Sequence, residues 1–315
     1  MAVSSSPLVN ASWLKRSLNE RGAAGAGPRR LVVVDGSYIL PKRDNRAAWE
    51  KARIPSARFF DIDEVCATTT TPNARDDEPE LPHMLPAAEL FAKWCSSNGI
   101  NATEPALHDV VVYDSHELGI FGAPRVAYTF MYFGFEHVGV LDGGLQAWKE
   151  AGGEVVPGAV DWEPLSEEID ARTLPVPARA RVASLADVMD ASQGDNTGAA
   201  QIVDARSHDR FVGRQEEPRA GLKRGHMPRA INVPFQSLIG NDGTMKPAEE
   251  LTRVFHDAGV SLDKPMIVSC GSGVTACVVE LALRVVGAKG NVRLYDGSFA
   301  EYGQLARDNV CVCVL

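Results

Sequence analysis

The chain has 315 residues, 45% hydrophobic and 23% charged, with 32 basic against 41 acidic side chains and a net charge of −9. That length suggests about two domains, each large enough for its own core. The acidic balance argues against a nucleic-acid binder, which needs a basic face, and no stretch approaches the roughly 18 apolar residues of a membrane-spanning helix, so neither nucleic acid nor membrane is an expected partner.

The opening "MAVSSSPLVNASWLKRSLNERG" lacks a secretory apolar core. It is Ser-rich and acid-poor, as transit peptides are, but "NASWLKRSL" already reads as a capped amphipathic helix. The expected location is cytoplasmic, with mitochondrial as the alternative. "GAAGAG" at 22–27 precedes the strand-like "LVVVD" rather than following one, which makes it a turn and not a dinucleotide fingerprint. After "RIPSARFFDI" (53–62) come a helical "PAAELFAKWCSSNGI", a strand "DVVVYD" ending at Asp114, a second helical run, and "VGVLDGGLQAW". Residues 152–180 are Pro-rich and lack helical period, and read as an extended linker packed over the domains.

The same plan then returns. "ASLADVMD" precedes "QIVDARS" with Asp204, "HMPRAINVPF" (226–235) matches 53–62, and "PAEELTRVFHDAGV" leads to "PMIVSC" ending at Cys270 and on to "VRLYDGSFAEY". Alternating strands and helices imply an α/β fold: two tandem domains, each a mainly parallel central sheet flanked by helices on both faces. The expected boundaries are 8–151, a linker at 152–180, 181–309, and a short tail at 310–315.

The repeat aligns Cys270 with Asp114, so one copy carries a cysteine where the other carries an aspartate. Both therefore fall at the C-terminal end of a strand, where α/β sheets bind ligands. In "CGSGVTA", Gly271 and Gly273 let successive backbone N–H groups turn inward, and the following helix points its positive end at the same place. Such a setting favours a thiolate. A buried cysteine in a tight turn is the plain alternative. The sixth residue after Cys270 is Ala276, not the arginine of a tyrosine phosphatase, and no Gly-Lys-Ser/Thr follows, so the loop is not built for phosphate.

Of the other cysteines, Cys277 is expected in the core. Cys66, Cys95, Cys311 and Cys313 are candidates for a regulatory intermolecular disulfide. No CxxC pair or zinc spacing appears, and no metal or organic cofactor is implied. In "NVCVCVL", Cys313 stands third from the end and so misses the prenylation pattern; the alternation reads as a short extended tail.

Two copies with the cysteine loop only in the second resemble the tandem-domain sulfurtransferases of the rhodanese superfamily. The resemblance runs from about residue 8 to 308 and rests on "FFDID", "HMLP", "FGAPRV", "LDGG", "EEPR", "INVPF" and "LYDGS" together. "CGSGVT" is similar to the loop of the mercaptopyruvate-using members; thiosulfate-specific members tend to carry basic residues after the cysteine. The resemblance implies attack of Cys270 on the sulfur of 3-mercaptopyruvate, release of pyruvate, and a persulfide passed to an acceptor thiol such as thioredoxin, to a low-molecular-weight thiol, or to cyanide. The loop residues Gly271, Gly273, Val274 and Thr275 would line the substrate, with Arg210 and Arg219 clamping its carboxylate.

Ser272, His83 and Asp63 match a serine–histidine–aspartate relay, the last two supplied by the otherwise silent first copy. Without the resemblance, Arg210 and Arg219 read equally as surface charges or partners of Glu216 and Glu217. Arg206 reads as the structural partner of Asp204. His108, His116, His137, His208 and His256 read as surface or helix-end residues, and His226 as a cap on backbone groups. The chain departs from the family in "RIPSA" for "HIPGA", and in a lengthened segment at 64–82 that would displace His83 or add a lid. A monomer is expected, with a redox-linked dimer as the alternative. The rival functions are a thiosulfate:cyanide sulfurtransferase and a non-catalytic binding or redox-sensing module.

Overall fold

A computed structural model of the chain describes residues 6–24, 29–38, 44–67, 81–158, 162–193, 199–219 and 221–305. The valine runs explain the sheets. Val32, Val33 and Val34 are all buried although neighbouring side chains point to opposite faces, and so are Val110, Val111 and Val112. Strands apolar on both sides must be covered on both. The first sheet contains β1 (Leu8–Val9), β2 (Arg30–Asp35), β3 (Arg58–Phe59), β4 (His108–Tyr113) and β5 (Val138–Leu141), in the order β1-β5-β4-β2-β3. Every pair in it is parallel.

One face packs Val33 and Val111 with Leu14 of α1 (Ala11–Ala24) and Leu145 and Trp148 of α5 (Gly144–Glu150). An aromatic cluster covers the opposite side: Phe91 and Trp94 of α3 (Ala88–Ser97) meet Phe130 of α4 (Ala123–Tyr132), with Phe91 stacked on Phe133 at 4.1 Å between centroids. A short α2 (Asn45–Lys51) lies between β2 and β3 in sequence.

The second sheet repeats the plan with β6 (Val182–Ala183), β7 (Gln201–Asp204), β8 (Ile231–Asn232), β9 (Met266–Ser269) and β10 (Val292–Tyr295), in the matching order β6-β10-β9-β7-β8, again all parallel. Its helices are α6 (Leu185–Gln193), α7 (His208–Phe211), α8 (Ala248–Asp257), α9 (Ala276–Val285) and α10 (Ser298–Leu305). Ile202 and Ile267 face α6 and α10, while Val203 and Val268 are buried on the other side. The altered turn "RIPSA" keeps the shape of its partner "HMPRA": Ser56 and Arg229 both take left-handed backbone, φ 61° and 62°.

By its internal contacts the chain separates into two compact units, each made of three stretches of sequence. The first comprises Met1–Cys66, Pro86–Ala178 and Gly240–Met245; the second comprises Ala67–Leu85, Arg179–Ile239 and Lys246–Leu315. Each half of the sequence thus gives an arm to the other unit. An equivalent aspartate holds each arm: Met245 N–H donates to Asp142 Oδ1 in the first unit (2.8 Å), and Leu85 N–H to Asp296 Oδ2 in the second (2.7 Å). Within the linker, Leu165 and Ala178 donate backbone bonds to Ser96 and Tyr132 of the first unit (2.9 and 2.8 Å). Most of the 64–82 segment, part of "GAAGAG", and the tail with Cys311 and Cys313 fall outside the described residues. Among the described residues, no helix is long and apolar enough to cross a membrane.

Candidate active site

The backbone confirms that Cys270 stands in the place of Asp114. In the first unit Gly36 N–H donates to Tyr113 O and Leu145 N–H to Asp114 O; in the second, Ala205 N–H donates to Ser269 O and Phe299 N–H to Cys270 O. Cys270 is buried, and its own N–H donates to Ser298 Oγ (3.1 Å), which donates onward to Tyr295 O (2.8 Å). Ser298 replaces the Gly144 of "LDGG" and keeps that glycine's left-handed backbone, φ 50° against 58°. Comparing "YDGS" with "LDGG" could have singled out Ser298 from the sequence.

The two copies differ in what their strand–helix loops hold. Asp114 accepts from the N–H groups of Phe121, Gly122 and Ala123 at the start of α4 (2.7, 3.1 and 2.9 Å), so the first cradle is filled by its own carboxylate. In the second unit, among the described residues, the N–H groups of Gly271, Ser272, Gly273, Val274 and Thr275 donate to no protein acceptor. Gly273 has φ +80°, a turn that lets successive N–H groups form an anion cradle.

Burial pushes the Asp114 carboxyl up to about 7, against the pull of its backbone donors, and Asp35 at the end of β2 up to about 6. Both rise above their unfolded value near 3.8. Their stabilising contribution is therefore complete below that value and lost as pH climbs through 6 to 7. The first unit should gain on the order of 3 kcal/mol from this pair as pH falls from 8 to 5. Thermal melts of wild type and Asp114→Asn across that range check it: the variant should lose most of the gain, and equal slopes would contradict the assignment.

His83 reaches the cysteine loop. Its Nδ1 lies 3.0 Å from Ser272 Oγ, and the residue is buried on the arm that Asp296 holds. A backbone bond from Ala67 N–H to Met84 O (3.2 Å) steadies the same arm. The lengthened segment before it has not displaced it. His83 takes φ 61°, a conformation that costs a non-glycine residue roughly 1–2 kcal/mol; the other arm has Gly243 near the same place, at φ +78°. Asp63 belongs to the other unit, where its N–H donates to Asp61 Oδ1 (2.9 Å), and its part in the relay rests on the resemblance alone.

Arg210, in α7, also meets the loop: a Cβ added to Gly271 would lie 2.8 Å from Arg210 Nη2, closer than real Cβ contacts allow. The guanidinium is paired with Glu217, Nε to Oε1 at 3.2 Å and Nη2 to Oε2 at 2.5 Å. Glu217 accepts also from Arg206 (2.8 Å), which is bound to Asp204 (2.6 Å), as expected of a structural pair, and packs on Phe299. Arg219 is half-buried. Val274 O and Thr275 O accept the first backbone bonds of α9 from Cys277 and Val278 (3.1 Å each).

Cys277 is in the core, with Sγ on Gly273 O (3.4 Å). Cys66 and Cys95 are both buried, and burial pushes the Cys95 thiol well up, so Cys95 offers no ready thiolate for a disulfide. His108 is likewise buried, at the start of β4, because it packs beside Phe135 and bonds Glu104 O. His226 bonds Phe211 O (2.9 Å), as a backbone cap should.

The chain has relatives among known proteins. The rhodanese-like domain family matches residues 11–151 and 186–305. The human 3-mercaptopyruvate sulfurtransferase is 38% identical over 306 residues, covering 95% of this chain and 93% of that protein. The Escherichia coli 3-mercaptopyruvate sulfurtransferase is 39% identical over 302 residues, covering 95% of each. The crystal structure of SseA from Escherichia coli superposes with a TM-score of 0.73 at 36% identity, covering 93% of this chain and 98% of that one.

Proposed function

The chain belongs to the rhodanese-like family, and from that premise we propose that it moves the sulfur of 3-mercaptopyruvate to a thiol acceptor through a persulfide on Cys270. The observation that carries this reading is the loop itself, a cysteine among five backbone N–H groups that no protein acceptor uses among the described residues. The Cys270 thiolate attacks the substrate sulfur. The carbon–sulfur bond breaks, its electron pair stays on carbon as the pyruvate enolate, and protonation of that carbon releases pyruvate. The sulfur remains as Cys270–S–SH until an acceptor thiolate attacks the outer atom and Cys270 departs as thiolate.

Each charged state of the cycle is an anion at the cradle, which the N–H groups stabilise without reorganising. The hydrogen-bonded Ser272 and His83 would polarise the keto oxygen and carry the proton that the enolate needs. Arg210 and Arg219 would hold the carboxylate. Thioredoxin or a low-molecular-weight thiol is the acceptor we propose, with a cytoplasmic or mitochondrial setting.

The loop offers no basic side chain, and Arg210 Nη2 stands close to position 271. A donor with a carboxylate to clamp is therefore favoured over thiosulfate. With cyanide as common acceptor, kcat/KM for 3-mercaptopyruvate should exceed that for thiosulfate by about 10²-fold or more, the value of one charge-assisted clamp. A preference for thiosulfate would overturn the choice of donor.

A further inference from the structure

We propose that Glu217 is the positioning residue of the substrate clamp: it takes one edge of the Arg210 guanidinium and so turns the other edge toward the cysteine loop. A guanidinium has two edges that can each hold a carboxylate. Glu217 occupies the Nε/Nη2 edge with both its oxygens, at 3.2 and 2.5 Å. The Nη1/Nη2 edge lies against Gly271, with Nη2 2.8 Å and Nη1 3.8 Å from where a Cβ would stand. Held this way, Arg210 presents its second edge beside Cys270.

The support behind Glu217 is rigid. Its side chain is only 2% exposed, against 20% for that of Arg210, so the pair is closed on the inner side and open on the outer. Arg206, fully buried, donates to Glu217 Oε1 and to Gly225 O (2.8 and 2.9 Å) while both oxygens of Asp204 hold it in turn. Its guanidinium lies 3.8 Å from the Phe299 ring centroid, and Phe299 N–H bonds Cys270 O. One connected set of groups therefore fixes both the cysteine's backbone and the arginine's plane. The alternating order Asp204, Arg206, Glu217, Arg210 also leaves the outermost cation only half neutralised, because Glu217 is shared between two arginines.

This inference rests on the reading of Arg210 as the carboxylate clamp, and a double-mutant cycle separates the two. Glu217→Gln should raise KM for 3-mercaptopyruvate roughly tenfold, because one charge-assisted bond weakens, with kcat within about twofold. On an Arg210→Ala background the same change should raise KM no further. Glu217→Asp, which keeps the charge but withdraws it, should fall between wild type and Gln and serves if the Gln variant does not fold. Additive effects of Glu217→Gln and Arg210→Ala, or an unchanged KM in a folded Glu217 variant, would overturn the positioning role. An Arg210→Ala variant with unchanged KM would instead remove the clamp, and the role of Glu217 with it.

Discussion

Cys270→Ser is expected to lose sulfur transfer by about 10⁴-fold or more, the scale on which removal of a covalent nucleophile is felt. The substituted hydroxyl keeps the size and the backbone anchors at Ser298 and Phe299. What it lacks is an accessible anionic form and the ability to carry a sulfane sulfur. Among the described residues, no neighbouring thiol is placed to replace it. Cys277 is the second residue of α9 with its Sγ donating to Gly273 O, and Cys66 and Cys95 are buried in the first unit. Steady-state rates with 3-mercaptopyruvate and a dithiol acceptor check this. Retention of a tenth or more of the activity would place the nucleophile elsewhere.

The second large effect concerns the carboxylate. Arg210→Ala removes a guanidinium whose second edge lies beside the loop, and the loss of its charge-assisted bonds is worth about 3 kcal/mol, or ~10²-fold in KM for 3-mercaptopyruvate. Arg219→Ala should act in the same direction. Thiosulfate, which has no carboxylate to orient, should suffer much less from either change. Initial-rate measurements with both donors decide it: equal losses for the two donors would count against a carboxylate clamp.

Several of these features were legible in the sequence. The two-copy plan, the parallel sheets and the position of Cys270 opposite Asp114 follow from local signals: short apolar runs, a bend of glycine and serine, and an aspartate–glycine after the last strand. The exchange of arms was not. Pro86 and Pro247 mark where each arm turns back, but nothing local says that 81–85 goes with the second unit and 240–245 with the first. The contact of His83 with Ser272, 189 residues away, was accessible only through resemblance.

Pairing of Arg210 with Glu217 was foreseen as a reason to doubt the arginine, whereas the geometry gives the pair a use. A carboxylate can hold one edge of a guanidinium and leave the other for a ligand, and no spacing argument distinguishes that from a surface ion pair. Burial misled in the other direction for His108. Its polar ring suggested the surface, and its packing beside Phe135 at the start of β4 encloses it.

The central claim is that Cys270 carries the sulfur. Intact mass and peptide mapping after a single turnover with 3-mercaptopyruvate, in the absence of acceptor, test it most directly. The account predicts a gain of one sulfur atom localised to the peptide containing Cys270, one pyruvate released per enzyme, and return to the starting mass when a thiol acceptor is added. Pyruvate release without added sulfur, or an adduct on any other cysteine, would contradict it.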